Sequence, residues 1–196
     1  VEGALFFGPE KVTAKGERAE GVTLPRLDLC VMNPPFTRSV GGNLLFGSLP
    51  EGERRRAQRR LSRLLRNVKA SATAGLGSVF VAVADRYLRH FGKGRLALVL
   101  PKAVLSGVAW AETRELLAEG YVLEFVVASH DPERWNFSEN TSLSEVLLVA
   151  RKDCGEGAEA VFVNLWRNPR TSFEALAVVH SLLREVPPDV ESGQGA

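Results

Sequence analysis

Cysteine is scarce in this chain of 196 residues: Cys30 and Cys154 are the only two, too few for a disulfide framework. Cys30 lies in an apolar run and reads as a small core residue, while Cys154 falls in a glycine-rich turn. A reducing, cytoplasmic setting is therefore expected. Long hydrophobic runs are also lacking. None approaches the roughly 18 residues that a membrane-crossing helix needs, and the first residues do not show the charged-then-apolar order of a signal peptide, so no membrane partner is expected. The three histidines, His90, His130 and His180, share no metal-ligand spacing, and no metal is expected. Repeats and heptads are missing too. The chain starts at Val1 rather than Met, and part of the machinery is expected to lie outside it.

What is present is an ordinary globular composition, 45% hydrophobic and 24% charged, long enough for one core and an appendage. The net charge of +2 conceals an asymmetry. Residues 54–69, RRRAQRRLSRLLRNVK, hold eight basic side chains and no acid, leaving 17 basic against 23 acidic residues elsewhere. Concentrated positive charge of this kind suits phosphate, with a solvated helix face as the plainer alternative.

Residues 1–26 read as a mostly irregular segment with room for one short strand. A fully buried strand is predicted at 27–32 and a loop with Gly41 and Gly42 at 37–50. Leu61, Leu64, Leu65 and Val68 fall at helical spacing, so 51–69 is an amphipathic helix with a basic outer face. A second helix spans 78–90, with Phe80, Val83, Ala84, Tyr87 and Phe91 on one face. Then follow a strand at 95–101, a helix at 108–119, strands at 122–129, 144–151 and 160–166, and a helix at 172–184 with Leu176, Val179, Leu182 and Leu183 facing inward. The last residues, 186–196, read as a disordered tail. Alternating strands and helices predict an α/β sheet. It should be mostly parallel, with helices on both faces and an antiparallel edge hairpin where 122–129 meets 144–151 across a loop without a helical pattern.

The first strand runs into a corner, LDLCVMNPPFTR, at residues 27–38. Neither proline has an N–H to give to a sheet. Asn33 precedes a proline and is held extended, so its amide projects from the strand tip. In open parallel sheets ligands bind beyond the carboxyl ends of the strands. The corner offers an amide oxygen, a backbone carbonyl and the ring of Phe36, a set suited to a planar group bearing an NH2.

DLCVMNPPF resembles the catalytic motif of the S-adenosylmethionine-dependent adenine-N6 DNA methyltransferases of the Asn-Pro-Pro-(Tyr/Phe) type, found in restriction–modification systems. RLALVLPKAVLSG, WAETRELLAEGYVLEFVV and FSENTSLSEVLLVARK follow in the order of the back half of such catalytic domains, so the resemblance covers residues 27–152. It implies a partial Rossmann-like methyltransferase sheet, with a strand–helix extension at 153–185. It also implies catalytic roles for Asn33, Pro34, Pro35 and Phe36. The Asn33 side-chain oxygen and the Pro34 carbonyl would each accept an N6–H bond, drawing the nitrogen toward tetrahedral geometry for displacement at the sulfonium methyl. Phe36 would stack on a flipped adenine, with Thr37 and Arg38 near its sugar-phosphate. Arg55, Arg59 and Arg63 on the basic helix would contact double-stranded DNA. In such enzymes the loop between the last two strands lies near the target base, which places Trp135 and Phe137 there, although core or lid packing is the plainer role. Solvated charge is the reading for Asp131, Glu133 and Glu139 in that loop.

The same resemblance implies a glycine-rich cofactor loop ahead of the corner. FFGPE (6–10) lacks the spacing, and Gly75-Leu76-Gly77-Ser78 precedes a helix but follows no strand, so it reads as a helix start. Asn33 and Pro34 would thus form only the edge of an S-adenosylmethionine pocket. Binding of the cofactor by this chain alone is expected to be weak or absent. Expected partners are a missing N-terminal half or a specificity subunit, with self-association through the exposed half-sheet. Methyltransferases of protein glutamine or rRNA guanine share the corner but usually lack the insertion after it, and a non-catalytic DNA-binding remnant is a third reading.

Overall fold

The computed structural model describes residues 11–12, 18–19, 25–36, 46, 49–90, 92–134, 136–138, 144–153 and 159–184. Near the N-terminus β1 (Lys11–Val12) and β2 (Arg18–Ala19) pair antiparallel. The remainder is an α/β layer around one five-stranded sheet. Its strands are β3 (Leu29–Met32), β4 (Arg95–Pro101), β5 (Tyr121–Ser129), β6 (Glu145–Lys152) and β7 (Val161–Leu165). Their order across the sheet is β3-β4-β6-β5-β7. β3 pairs parallel with β4 and β5 parallel with β7, while β6 runs antiparallel between β4 and β5. The mostly parallel α/β sheet with an antiparallel hairpin is as expected. The hairpin lies one strand in from the edge, because β7 adds outside β5.

One face carries the main core. Leu96, Leu98 and Leu100 of β4 alternate inward with Val146, Leu148 and Ala150 of β6, as period-two side chains must. Onto them pack α2 (Leu76–Tyr87), through Val81 and Ala84, and α3 (Ala111–Gly120), through Leu117. Cys30 joins this core from β3, and its burial pushes the thiol pKa up. α1 (Glu51–Leu65) packs over α2, with Leu61 and Leu65 against Val79, Leu76 and Val83. The single face expected for α2 is therefore too narrow. Ser78, Val79, Val81, Ala82 and Ala84 are all buried, since α2 sits between the sheet and α1.

Two expectations about burial are overturned. β3 was expected to be fully buried, yet Leu29 and Val31 are 56% and 69% exposed. They point to the sheet face opposite the main core, and the cluster under the helix on that face, α4 (Ser172–Leu183), takes in Val127, Phe137, Leu147, Val163 and Leu165 but no residue of β3. Of the four α4 residues predicted to face inward, Leu182 does so and the other three do not. Val178 and Leu182 meet Val127, Leu147, Val163 and Leu165, whereas Leu176, Val179 and Leu183 are exposed. The helix has two apolar stripes. Periodicity favours the richer one, and packing on the sheet selected the other.

Gly75 and Gly77 do start α2, as the sequence reading holds. Gly75 caps it at φ 87°, ψ −170°, a region essentially restricted to glycine. No helix among the described residues is long and apolar enough to cross a membrane.

Candidate active site

The parallel strands deliver their carboxyl ends to one rim of the sheet. β3 ends at Met32 and releases Asn33, β4 ends at Pro101 opposite Glu145 of β6, and β5 ends at Ser129. At this rim Asn33 is exposed, Pro34 buried, Pro35 exposed and Phe36 half-buried. Buried Pro34 anchors the corner, while Asn33 stands in solvent reach. Asn33 Nδ2 donates to Ser138 Oγ at 2.9 Å, across 105 residues of sequence. The amide keeps one further N–H donor and its acceptor oxygen.

Ser138 lies in the segment that follows β5, and the described part of that segment, 130–134 and 136–138, is pinned at two points. At its start Asp131 is buried; its Oδ1 accepts from the backbone N–H of Glu133 (2.9 Å) and Arg134 (3.2 Å). Its Oδ2 accepts from the N–H of Asn168 at 2.9 Å. The Asn168 bond, with smaller help from the other two and from Arg170, holds the Asp131 carboxyl below the usual range against the opposing effect of burial. Asn168 in turn donates its side-chain amide to the carbonyls of Arg134 and Asn136. At the far end Glu145 Oε2 accepts from the N–H of both Phe137 and Ser138, each at 2.7 Å. Solvated charge is thus the wrong reading for Asp131. Glu133 is exposed and pairs with Arg170 at 2.9 Å. Phe137 is half-buried and packs on the cluster of Val127, Val163, Leu165 and Val178, in keeping with the plainer packing role. Trp135 and Glu139 lie outside the described residues, as do Thr37, Arg38, Gly41, Gly42, Phe91 and Cys154.

Sequence reasoning missed Ser138, Glu145 and Asn168. Asp131-Pro132 was a legible turn signal, because a short carboxylate readily accepts from N–H groups two and three residues on. Nothing local marks Glu145, whose value depends on which loop folds over it.

Arg55, Arg59, Arg63 and Arg66 line a shallow groove along the outer side of α1 with Gln58 and Ser62. All four arginines are exposed. Arg55 pairs with Glu51 one turn earlier. Glu51 and Glu53 at the N-terminal end and Arg63 at the other suit the helix dipole.

Gly75 and Gly77 do not make a cofactor loop of the strand–loop–helix kind. A Cβ on Gly77 would meet Trp110 Cη2 at 3.0 Å, so its open side is already filled by a buried indole. Gly75 follows a short 3-10 turn, Ala72–Ala74, and not a strand. Among the described residues no cluster of His, Cys, Asp and Glu could hold a metal ion, and His130 instead bonds Asn164 Oδ1 at 3.1 Å beside the ring of Trp166.

No family model and no curated protein matches the chain. Solved structures do. One, from a structural study of complex assembly and conformational transition of a type I R-M system, has a TM-score of 0.52 at 20% identity and covers 86% of this chain. A Listeria monocytogenes protein assigned to the class I S-adenosylmethionine-dependent methyltransferases gives 0.49 at 17% identity over 81%. A Vibrio vulnificus protein assigned as the modification subunit of a type I restriction enzyme gives 0.45 at 21% identity over 82%. The chain spans 33%, 43% and 32% of those three chains respectively. By its fold the chain is similar to a protein of a type I restriction–modification system, the kind of system that the DLCVMNPPF stretch implies.

Proposed function

We propose that this chain carries the amine-binding corner of an S-adenosylmethionine-dependent adenine-N6 DNA methyltransferase of a restriction–modification system, as one part of a longer catalytic unit. The observation that supports it is the Asn33-Pro34-Pro35-Phe36 corner at the carboxyl end of β3, with Asn33 exposed and Pro34 buried. An exocyclic adenine amine is a poor nucleophile, because its lone pair is delocalised into the ring. Asn33 Oδ1 and the Pro34 carbonyl each accept a hydrogen bond from one of its two N–H groups, fix its orientation and favour the geometry in which the lone pair is free. This is positioning and electrostatics, with no strong base. Phe36 supplies a face for the flipped base. S-adenosylmethionine supplies the methyl group when bound. Asn33 and Pro34 form only the edge of its pocket in this reading. Double-stranded DNA is the substrate, and the first structural relative, from a study of complex assembly, supports partner subunits for this chain as well.

Transfer of tritiated methyl groups to duplex DNA by the protein that carries this chain tests the reading. Asn33→Ala is expected to lower the rate by about a hundredfold or more while leaving DNA affinity intact. An unchanged rate would overturn the assignment. Titration calorimetry on the chain alone should show no tight cofactor binding, and micromolar binding would refute the division of the pocket.

A further inference from the structure

Resting on that reading of Asn33, we infer that Ser138 is a positioning residue that sets which end of the Asn33 amide faces the substrate. An asparagine amide has nearly equal shapes in its two flipped forms, but opposite hydrogen-bonding character. Only the form that presents Oδ1 can accept from a substrate amine; the other presents two donors to a donor. Asn33 is exposed, so neighbouring packing alone does not choose between them. A hydroxyl can donate or accept; here Ser138 Oγ accepts from Nδ2 at 2.9 Å, and in that role it holds the amide in the form that presents Oδ1.

Such a choice is useful only if Ser138 is itself held. The backbone N–H of Ser138 and that of Phe137 both end on Glu145 Oε2 at 2.7 Å, and Glu145 is 1% exposed at the first position of β6. Bonds from backbone N–H to a carboxylate are among the stronger hydrogen bonds. The Phe137 side chain is seated against Val127, Val163 and Leu165, and Asn168 ties down the carbonyls of Arg134 and Asn136. Residues 136–138 are therefore fixed to the same sheet that carries Asn33, by groups that do not touch the corner. Glu145 Oε1 is buried and without a hydrogen-bond partner among the described residues.

Two readouts test the inference. In the ¹⁵N-asparagine-labelled chain, the side-chain NH2 resonances of Asn33 are identified by their loss in Asn33→Ala. Ser138→Ala is expected to shift them and collapse their separation from free-amide values, and Ser138→Thr, which keeps the hydroxyl, to restore them. In the methylating protein, Ser138→Ala should lower single-turnover transfer about tenfold, with KM for DNA unchanged and recovery in Ser138→Thr. Placed on Asn33→Ala, Ser138→Ala should then have no further effect. Unmoved Asn33 resonances, or losses that multiply in the double variant, would overturn the inference. Absence of adenine methylation in the unsubstituted protein would instead overturn the functional reading, and the resonances would still decide whether Ser138 orients Asn33.

Discussion

Asn33 illustrates how a single side chain acquires a role from two directions. The proline after it fixes the backbone, which the sequence states outright. Its amide orientation comes from Ser138, 105 residues away, and no local pattern could supply that. Asp131 shows the same division. Its turn-forming bonds to Glu133 and Arg134 are local, whereas its bond to Asn168 spans 37 residues and contributes most to lowering its pKa. A carboxyl lowered in the folded state stabilises the protein above its unfolded pKa of about 3.9, and that contribution is lost as pH falls through the folded value. In urea denaturation the unsubstituted chain should therefore exceed Asp131→Asn in stability by a constant margin at neutral pH. The margin is expected to shrink below about pH 4, and a margin that does not change with acid would contradict the account.

α1 was the most legible of the elements. Leu61 and Leu65 at i, i+4 are the side chains that meet α2, and the arginines fall on the other side. Arg55, Arg59 and Arg63 stand on successive turns, about 6 Å apart along the axis, so they can meet phosphates along one strand without reading bases. Reversing all three to Glu should weaken DNA binding and make the dependence of log K on log salt shallower by about two to three. Identical slopes for the variant and the unsubstituted protein would assign α1 to the solvated reading. α4 was less legible, because two apolar stripes on one short helix give periodicity no basis for choosing. Its exposed Phe173, Leu176 and Leu183 are the consequence.

At the scale of the whole molecule the two rims of the sheet differ in chemistry. The carboxyl rim holds Asn33 and the pinned loop. The amino rim is closed by a compact polar cluster: Tyr121 at the start of β5 donates to Asp85 Oδ1 at 2.8 Å, and Lys152 at the end of β6 pairs with the same oxygen at 2.8 Å. Burial first, then the Asp85 charge, hold the Tyr121 phenol above its ordinary range, so it remains a neutral donor. Removing Asp85 would strand the buried Lys152 ammonium. Since the Asp85 side chain is 27% exposed, Asp85→Ala is expected to destabilise by about 2 kcal/mol, less than a fully buried pair would show. The Asn33 resonances should not move, because the cluster lies at the opposite rim. A loss of stability accompanied by altered Asn33 resonances would show that the two rims are coupled.

The sequence by itself determined the α/β class, nearly every strand and helix, the corner and the basic helix. Each of these follows from short-range rules: side-chain period, proline geometry and the clustering of like charge. The tertiary structure alone decided that β7 extends the sheet beyond the hairpin, that Leu29 and Val31 of β3 stay exposed, and that Asp131, Asn168, Glu145 and Ser138 form one chain of hydrogen bonds and packed backbone reaching Asn33. Those outcomes depend on which surfaces meet across long stretches of chain. A buried carboxylate is tolerable only where the folded backbone brings N–H groups to it.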